Sequence, residues 1–171
     1  MSRLPDFTIR LARPEDEERL AEIIVLGFGE SCVHAMREKR YGLLGGKPWQ
    51  ERKAREIRDA LKNRPEFVWV AEVDGKVAGF CTYCVYDNEH GEILNNAVDP
   101  AYQGRGIGQA LYCKVLHLMR EKGCKYAEVQ TGLQESFAPA RWSYEKLGFK
   151  PLLYSMRYTM RLDETEATTQ G

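Results

Sequence analysis

The stretch best able to do chemistry is Gln103-Gly104-Arg105-Gly106-Ile107-Gly108. Its glycines fall at every second position and strip side chains from the backbone. After it Ile107, Leu111, Val115, Leu118 and Met119 repeat at helical spacing. Bare N–H groups at the mouth of a helix, where the dipole adds partial positive charge, form a site for a phosphate or pyrophosphate. Arg105 can add a charge-assisted contact to a further phosphate. A P-loop is excluded, because no Gly-Lys-Ser/Thr follows. A dinucleotide-binding fingerprint is weakened, because Gln109 and Leu111 stand where its third glycine belongs. Glu128, however, lies about where a ribose-binding acid would.

Other reactive residue types are less organised. Five cysteines at irregular spacing argue against a disulfide framework. Cys81 and Cys84 spell C-x-x-C, but no second pair follows at zinc spacing. They sit in an apolar strand-like run, where residues three apart point to opposite faces, and so read as core and near-core thiols. His34, His90 and His117 show no metal spacing, and no metal is expected.

The elements that must position the glycine turn follow from pattern. Phe7 to Leu11 predicts a short strand. Pro14 then opens the acidic turn Glu15-Asp16-Glu17-Glu18, suited to the positive end of a helix dipole, and Leu20, Ile23, Ile24 and Phe28 give that helix its apolar stripe. Glycines 42, 45 and 46 with Pro48 mark a loop before a second helix from Trp49 to Asn63, with Ala54, Ile57 and Leu61 inward. Strands from Phe67 to Val73 and Lys76 to Tyr86 flank Asp74-Gly75, a type I′ hairpin signal. A third strand runs from Gly91 to Val98 and delivers the chain through Asp99-Pro100 to the glycine turn. The following helix ends at Gly123. Tyr126 to Thr131 predicts a strand, Pro139 to Leu147 a helix closed by Gly148, and Leu153 to Leu162 a last strand. The order is βααβββαβαβ in one mixed sheet. Residues 1–171 read as a single domain, ordered over about 7–162, with a polar, acidic and mobile tail at 163–171.

Composition narrows the partners. Lys plus Arg and Asp plus Glu both count 25, so no global field draws in nucleic acid or membrane. Locally, Met36 to Arg64 holds ten basic residues against four acidic. A solvated helix face is the preferred reading, with attraction of a nucleotide phosphate as the other. No apolar run reaches membrane-spanning length and the first residues lack a signal-peptide core, which places the expected protein in the cytoplasm.

Gln103, Gly106 and Gly108 fit the pattern Q/R-x-x-G-x-G/A, set after a strand and Asp-Pro and before an amphipathic helix. Tyr144-Glu145-Lys146-Leu147-Gly148-Phe149 supplies a second motif near the C-terminus. Together with the element order from Phe7 to Leu162, these features resemble the GNAT superfamily of N-acetyltransferases. The resemblance implies an α/β fold, a mixed, mostly antiparallel sheet flanked by helices. That sheet is splayed between the strand ending at Val98 and the strand after Lys125. It also implies acetyl-coenzyme A as cosubstrate, held by Ala97, Val98 and the turn Gln103, Gly104, Arg105, Gly106, Ile107 and Gly108.

The implied reaction moves an acetyl group to a primary amine by direct attack on the thioester. An amine with a pKa of about 10 is protonated at neutral pH and needs a base. Glu92, six residues before Val98, matches the glutamate base of some GNAT members. An even spacing puts both side chains on one face unless a bulge intervenes. Val98 N–H is placed to hold the oxyanion. Tyr144 matches the family tyrosine that protonates the departing sulfur. Phe137 stands where many members carry an asparagine, so Ser136 or another group must supply that contact. Tyr41, Trp49 and Tyr86 sit in segments that line the acceptor groove of the fold. The expected acceptor is a small-molecule amine or a protein amine. A homodimer through the sheet edge or the C-terminal strand fits as well. The alternative is a non-catalytic domain that holds acyl-coenzyme A as a sensor or scaffold.

Overall fold

The computed structural model describes residues 6–87 and 89–163. The sheet is ordered β1 (Thr8–Leu11), β2 (Val68–Val73), β3 (Lys76–Tyr86), β4 (His90–Val98), β5 (Tyr126–Val129). Neighbours are antiparallel except β4 and β5, which run parallel from His90↔Tyr126 to Ile93↔Val129. Beyond Ile93 the two strands part. Residues 94–98 of β4 therefore have no partner on that side, which is the splay expected from sequence.

Two layers of helix sandwich the sheet. On one face α1 (Glu17–Phe28) and α3 (Trp49–Asn63) bury Leu20, Ile23, Ile24, Ala54, Ile57 and Leu61 against Val68, Val70 and Phe80. On the other, α4 (Ile107–Glu121) packs Ile107, Leu111, Val115 and Met119 on Cys81, Tyr83 and Ile93. Tyr144 of α5 (Ala138–Lys146) joins that second core. Between β2 and β3, Asp74 (φ 48°) and Gly75 (φ 75°) are both left-handed, as the type I′ turn demands. Arg10 on β1 ties the first turn to the sheet. It donates to Asp16 at 2.7 Å and its guanidinium lies 2.7 Å from Glu72 on β2.

Two expectations need correction. A further helix, α2 (Val33–Tyr41), stands between α1 and α3. Only Ala35 of it is buried, so it carries no apolar stripe to read. Its N-cap is Cys32, whose sulfur accepts from Ala35 N–H at 3.4 Å in place of the usual Ser, Thr, Asp or Asn. The last strand, Leu153 to Leu162, is absent as a strand. Those residues pair with no ladder, and their apolar side chains lie in water. Alternation sets which faces a strand would have, but a strand also needs an edge to bond to. Of the tail, residues 164–171 lie outside the described residues.

Candidate acyl-transfer site

The glycine turn sits where the chain leaves β4. Asp99 caps the bend, accepting from Ala101 N–H at 2.8 Å, and is paired to Arg19 of α1. Burial alone would raise the Asp99 carboxyl; the Ala101 N–H and Arg19 overcome it and hold the group below the usual carboxylate range. Gly104 (φ 79°) and Gly106 (φ 80°) are left-handed, and a Cβ on either would meet open space. The glycines are thus required by backbone conformation and not by crowding. Gly106 is the N-cap of α4 and no side chain caps that helix. The first N–H groups of α4 thus have no acceptor within the helix and none from a cap. Arg105 lies beside them, 3.3 Å from Asp6 and over the Tyr102 ring at 5.3 Å. Gln103 donates to Val98 O at 3.4 Å and closes the turn back on β4.

The splay exposes one edge of β4. Asp99 N–H donates to Ala78 O at 2.9 Å, so the alternation of an antiparallel ladder aims Val98 N–H the other way, toward the gap left by β5. Ala97 packs on the α1/α3 core, and Gly27 of α1 approaches so closely that a Cβ there would fall 2.6 Å from Ala97 Cβ. Val98 packs on the α4 core.

A bulge organises the rest. Cys81 opposes Asn96 but Tyr83 opposes Ile93, so β4 carries one extra residue between Ile93 and Asn96. This bulge changes the expected geometry of Glu92. Gly91 lies under Met119 and Ile93 is in the α4 core, so Glu92 between them points to the opposite face, away from Val98. There Tyr86 donates to Glu92 Oε2 at 2.9 Å. Hydrogen bonds to Cys84 and then Glu92 push the Tyr86 phenol up. The bulge also fixes Asn96, whose amide donates to Leu94 O at 3.1 Å. That bond aims Asn96 Oδ1 at two phenols, Tyr112 at 2.7 Å and Tyr144 at 3.3 Å, with the two rings 5.2 Å apart. Tyr144 is 6% exposed, and burial raises its phenol although its bonds to Asn96 and Tyr112 oppose the rise. Burial raises Tyr112 too. Both hydroxyls keep their protons through neutral pH and can only donate or relay.

On the α3 side Asn95 Oδ1 accepts from Lys53 at 2.8 Å. Lys53, 6% exposed, also bonds Glu56 at 2.6 Å and lies over the Phe28 ring at 3.8 Å. His34 Nε2 meets the other Glu56 oxygen at 2.7 Å. Burial would raise Glu56, but Lys53 first, then His34 and Asn95, bring it below its ordinary value. Neither network was read from sequence. The signal was the pair Asn95-Asn96, two residues of poor strand propensity inside a strand, where side-chain amides must have partners.

The remaining candidates are scattered. Cys81 and Cys84 are buried, and burial pushes the Cys81 thiol up. His117 is exposed beside Glu121 on α4, and His90 stacks on Tyr126 at 4.7 Å. Phe137 packs edge-on against Phe28, 6.3 Å away, and Ser136 is exposed. No cluster of metal-ligating side chains occurs among the described residues, nor does any helix there have the length and apolarity to cross a membrane. Within the basic stretch, Arg52 of α3 pairs with Glu38, Arg55 with Asp59 and Arg58 with Glu17 and Glu18.

Residues 30–149 match the sequence profile of the Acetyltransferase (GNAT) family. A mycothiol acetyltransferase of Thermomonospora curvata is 35% identical over 94 residues, covering 55% of this chain and 31% of that protein. The match therefore spans about a third of that relative's length. Among solved structures, the PaiA N-acetyltransferase of Thermoplasma acidophilum in complex with coenzyme A superposes with a TM-score of 0.62. The two are 22% identical, over 84% of this chain and 89% of that one. The ribosomal-protein-S18-alanine N-acetyltransferase of Escherichia coli gives a TM-score of 0.62 at 21% identity, over 86% and 79%. The two structural likenesses show a common fold.

Proposed function

Because this chain belongs to the GNAT family of acetyltransferases, we propose that it transfers an acetyl group from acetyl-coenzyme A to a primary amine. One observation carries the reading. The free edge of β4 at Val98 runs on into the uncapped first turn of α4, and the buried Tyr144 phenol of α5 is hydrogen-bonded to Asn96 of the same strand. The coenzyme brings an activated thioester; the chain supplies everything else.

In this reading Gly104, Arg105, Gly106, Ile107 and Gly108 hold the pyrophosphate through N–H groups and the Arg105 charge, with Gln103 bracing the turn. The open conformation at Gly104 and Gly106 suits close approach of phosphate to backbone. Ala97 and Val98 line the acyl arm. Val98 N–H donates to the oxyanion, worth about 2.7–4 kcal/mol for one such donor. Glu92 removes the amine proton, through water or directly, and Tyr144 passes its phenolic proton to the departing sulfur. Asn96 Oδ1 accepts from the Tyr144 and Tyr112 hydroxyls and so holds the Tyr144 phenol in place. The acetyl group goes straight to nitrogen, and the buried cysteines take no part. The acceptor is a small-molecule or protein amine, and the work is done by residues 1–171 as one domain in the cytoplasm without metal.

A thermal-shift titration with acetyl-CoA, coenzyme A, NAD and ATP tests the reading. At about 100 times its Kd a ligand adds roughly 2.7 kcal/mol. Stabilisation by acetyl-CoA and coenzyme A but not by NAD is expected. A response to NAD alone would return the glycine turn and Glu128 to the dinucleotide reading.

A further inference from the structure

Lys53 breaks the apolar stripe of α3. The buried residues of that helix are Lys53, Ala54, Ile57 and Leu61, and the other three join the core beneath the sheet. An ammonium in such a place loses its water, and a well-packed apolar side chain would often serve stability as well or better. Lys53 is 6% exposed, and three groups stand around its ammonium. They are Glu56 Oε2 at 2.6 Å, Asn95 Oδ1 at 2.8 Å and the Phe28 ring, whose centroid is 3.8 Å away.

The partner on β4 shows what the charge does. Between Ile93 and Asn96 that strand carries Leu94 and Asn95 against the single Thr82 of β3. A bulge forgoes ladder bonds and needs other bonds to hold one shape. Here side chains supply them. Thr82, 3% exposed, donates to Asn95 O at 3.0 Å, and the Asn96 amide donates to Leu94 O at 3.1 Å. Lys53 takes the Asn95 side chain from α3. β5 gives no support at this point, because its ladder with β4 ends at Ile93. The residue after Asn95 is Asn96, whose Oδ1 accepts from Tyr112 and Tyr144. A shift of Asn95 therefore moves the anchor of the Tyr144 phenol.

We propose that Lys53 is a positioning residue. Through Asn95 it fixes the β4 bulge in the register that aims Asn96 at Tyr144 and turns Glu92 to the opposite face. Its effect on rate rests on the acetyl-transfer reading, whereas its effect on the strand does not. Glu56 completes the clamp, with one oxygen on Lys53 and the other on His34. Loss of Lys53 alone would leave that carboxylate without its main counter-charge.

A charge-balanced variant separates positioning from packing. Lys53→Met strands the Glu56 charge, so its stability is expected to fall. Lys53→Met with Glu56→Gln removes both charges and still leaves Asn95 Oδ1 without the ammonium. Circular dichroism establishes that the double variant is folded, and hydrogen exchange followed by mass spectrometry compares it with the parent. Residues 91–97 are expected to exchange about 10–100-fold faster, and the α4 core around Leu111 and Val115 at the parent rate. With an amine acceptor, kcat should fall about tenfold or more, as displacement of a reacting group does. Acetyl-CoA affinity should stay within about twofold. Thr82→Val, which removes the bond to Asn95 O, should move exchange and kcat the same way by about threefold. A folded double variant with the parent's exchange at residues 91–97, or with the parent's kcat, would overturn the proposal. If the parent itself releases no coenzyme A with any amine, faster exchange still supports the clamp, and the acetyl-transfer reading falls instead.

Discussion

The two faces of β4 are built differently. Toward α4, Asn96 collects the hydroxyls of Tyr112 and Tyr144 in a buried, fully bonded cluster, and Val98 packs into the core. Toward the other face, Tyr86 donates to Glu92, and Tyr86 is 47% exposed. The thiol end of the proposed reaction is therefore rigid before any ligand arrives, while the amine end stays open to water. A preorganised donor saves reorganisation in the transition state. An open base tolerates acceptors of different shape, which is where folds of this kind vary.

That asymmetry sets an order of effects. Tyr144→Phe should be the severest catalytic change, lowering kcat about 10²–10⁴-fold with little change in acetyl-CoA affinity. Because burial raises the Tyr144 phenol, the parent enzyme should hold its rate well above neutral pH; a kcat equal to the parent's would remove the acid. Gly106→Val forces a β-branched residue into φ 80° and should cost about 1–3 kcal/mol, seen as roughly 10–100-fold weaker acetyl-CoA binding by calorimetry. Unchanged affinity would break the phosphate-turn assignment. Glu92→Gln, on the open face, should cost only about tenfold in kcat/KM, and should flatten the acid limb of its pH profile. An unaltered profile would transfer the base to water or to another group.

Far from both faces, Asp16→Asn weakens the Arg10 cluster. Burial would raise Asp16, yet Arg10 and the Arg13 N–H hold its carboxyl below the ordinary value of 3.8. A depressed carboxyl contributes stability that is present above 3.8 and lost as pH falls through its folded value. The substitution should therefore cost about 1–3 kcal/mol at pH 7 in urea melts. The gap should close as the pH drops below about 4. A gap that stays constant with pH would contradict the ion-pair account.

The same asymmetry explains what sequence could reveal. Gly104, Gly106 and the helix after them are local, and local backbone chemistry is legible. So was α3, found from Trp49 to Asn63 by its apolar spacing, and so was the Asp74-Gly75 hairpin. The bulge before Asn96 was not legible, because register depends on pairing with β3; it turned Glu92 to the face opposite Val98. Lys53 and Asn95 lie 42 residues apart in sequence, and only the fold brings them together. The arm after Pro151 shows the converse: its alternation was plain, but alternation does not supply a neighbouring strand.

The reaction proposed is acetyl transfer to nitrogen, with Tyr144 as the acid. Its most direct test is steady-state release of coenzyme A from acetyl-CoA across a panel of primary amines, run on the parent chain and on Tyr144→Phe. Amine-dependent release by the parent is expected, and release lower by about 10²–10⁴-fold in the variant, with acetyl-CoA still bound by both. Tight binding of acetyl-CoA with no release for any amine would contradict it and leave a domain that only holds the coenzyme.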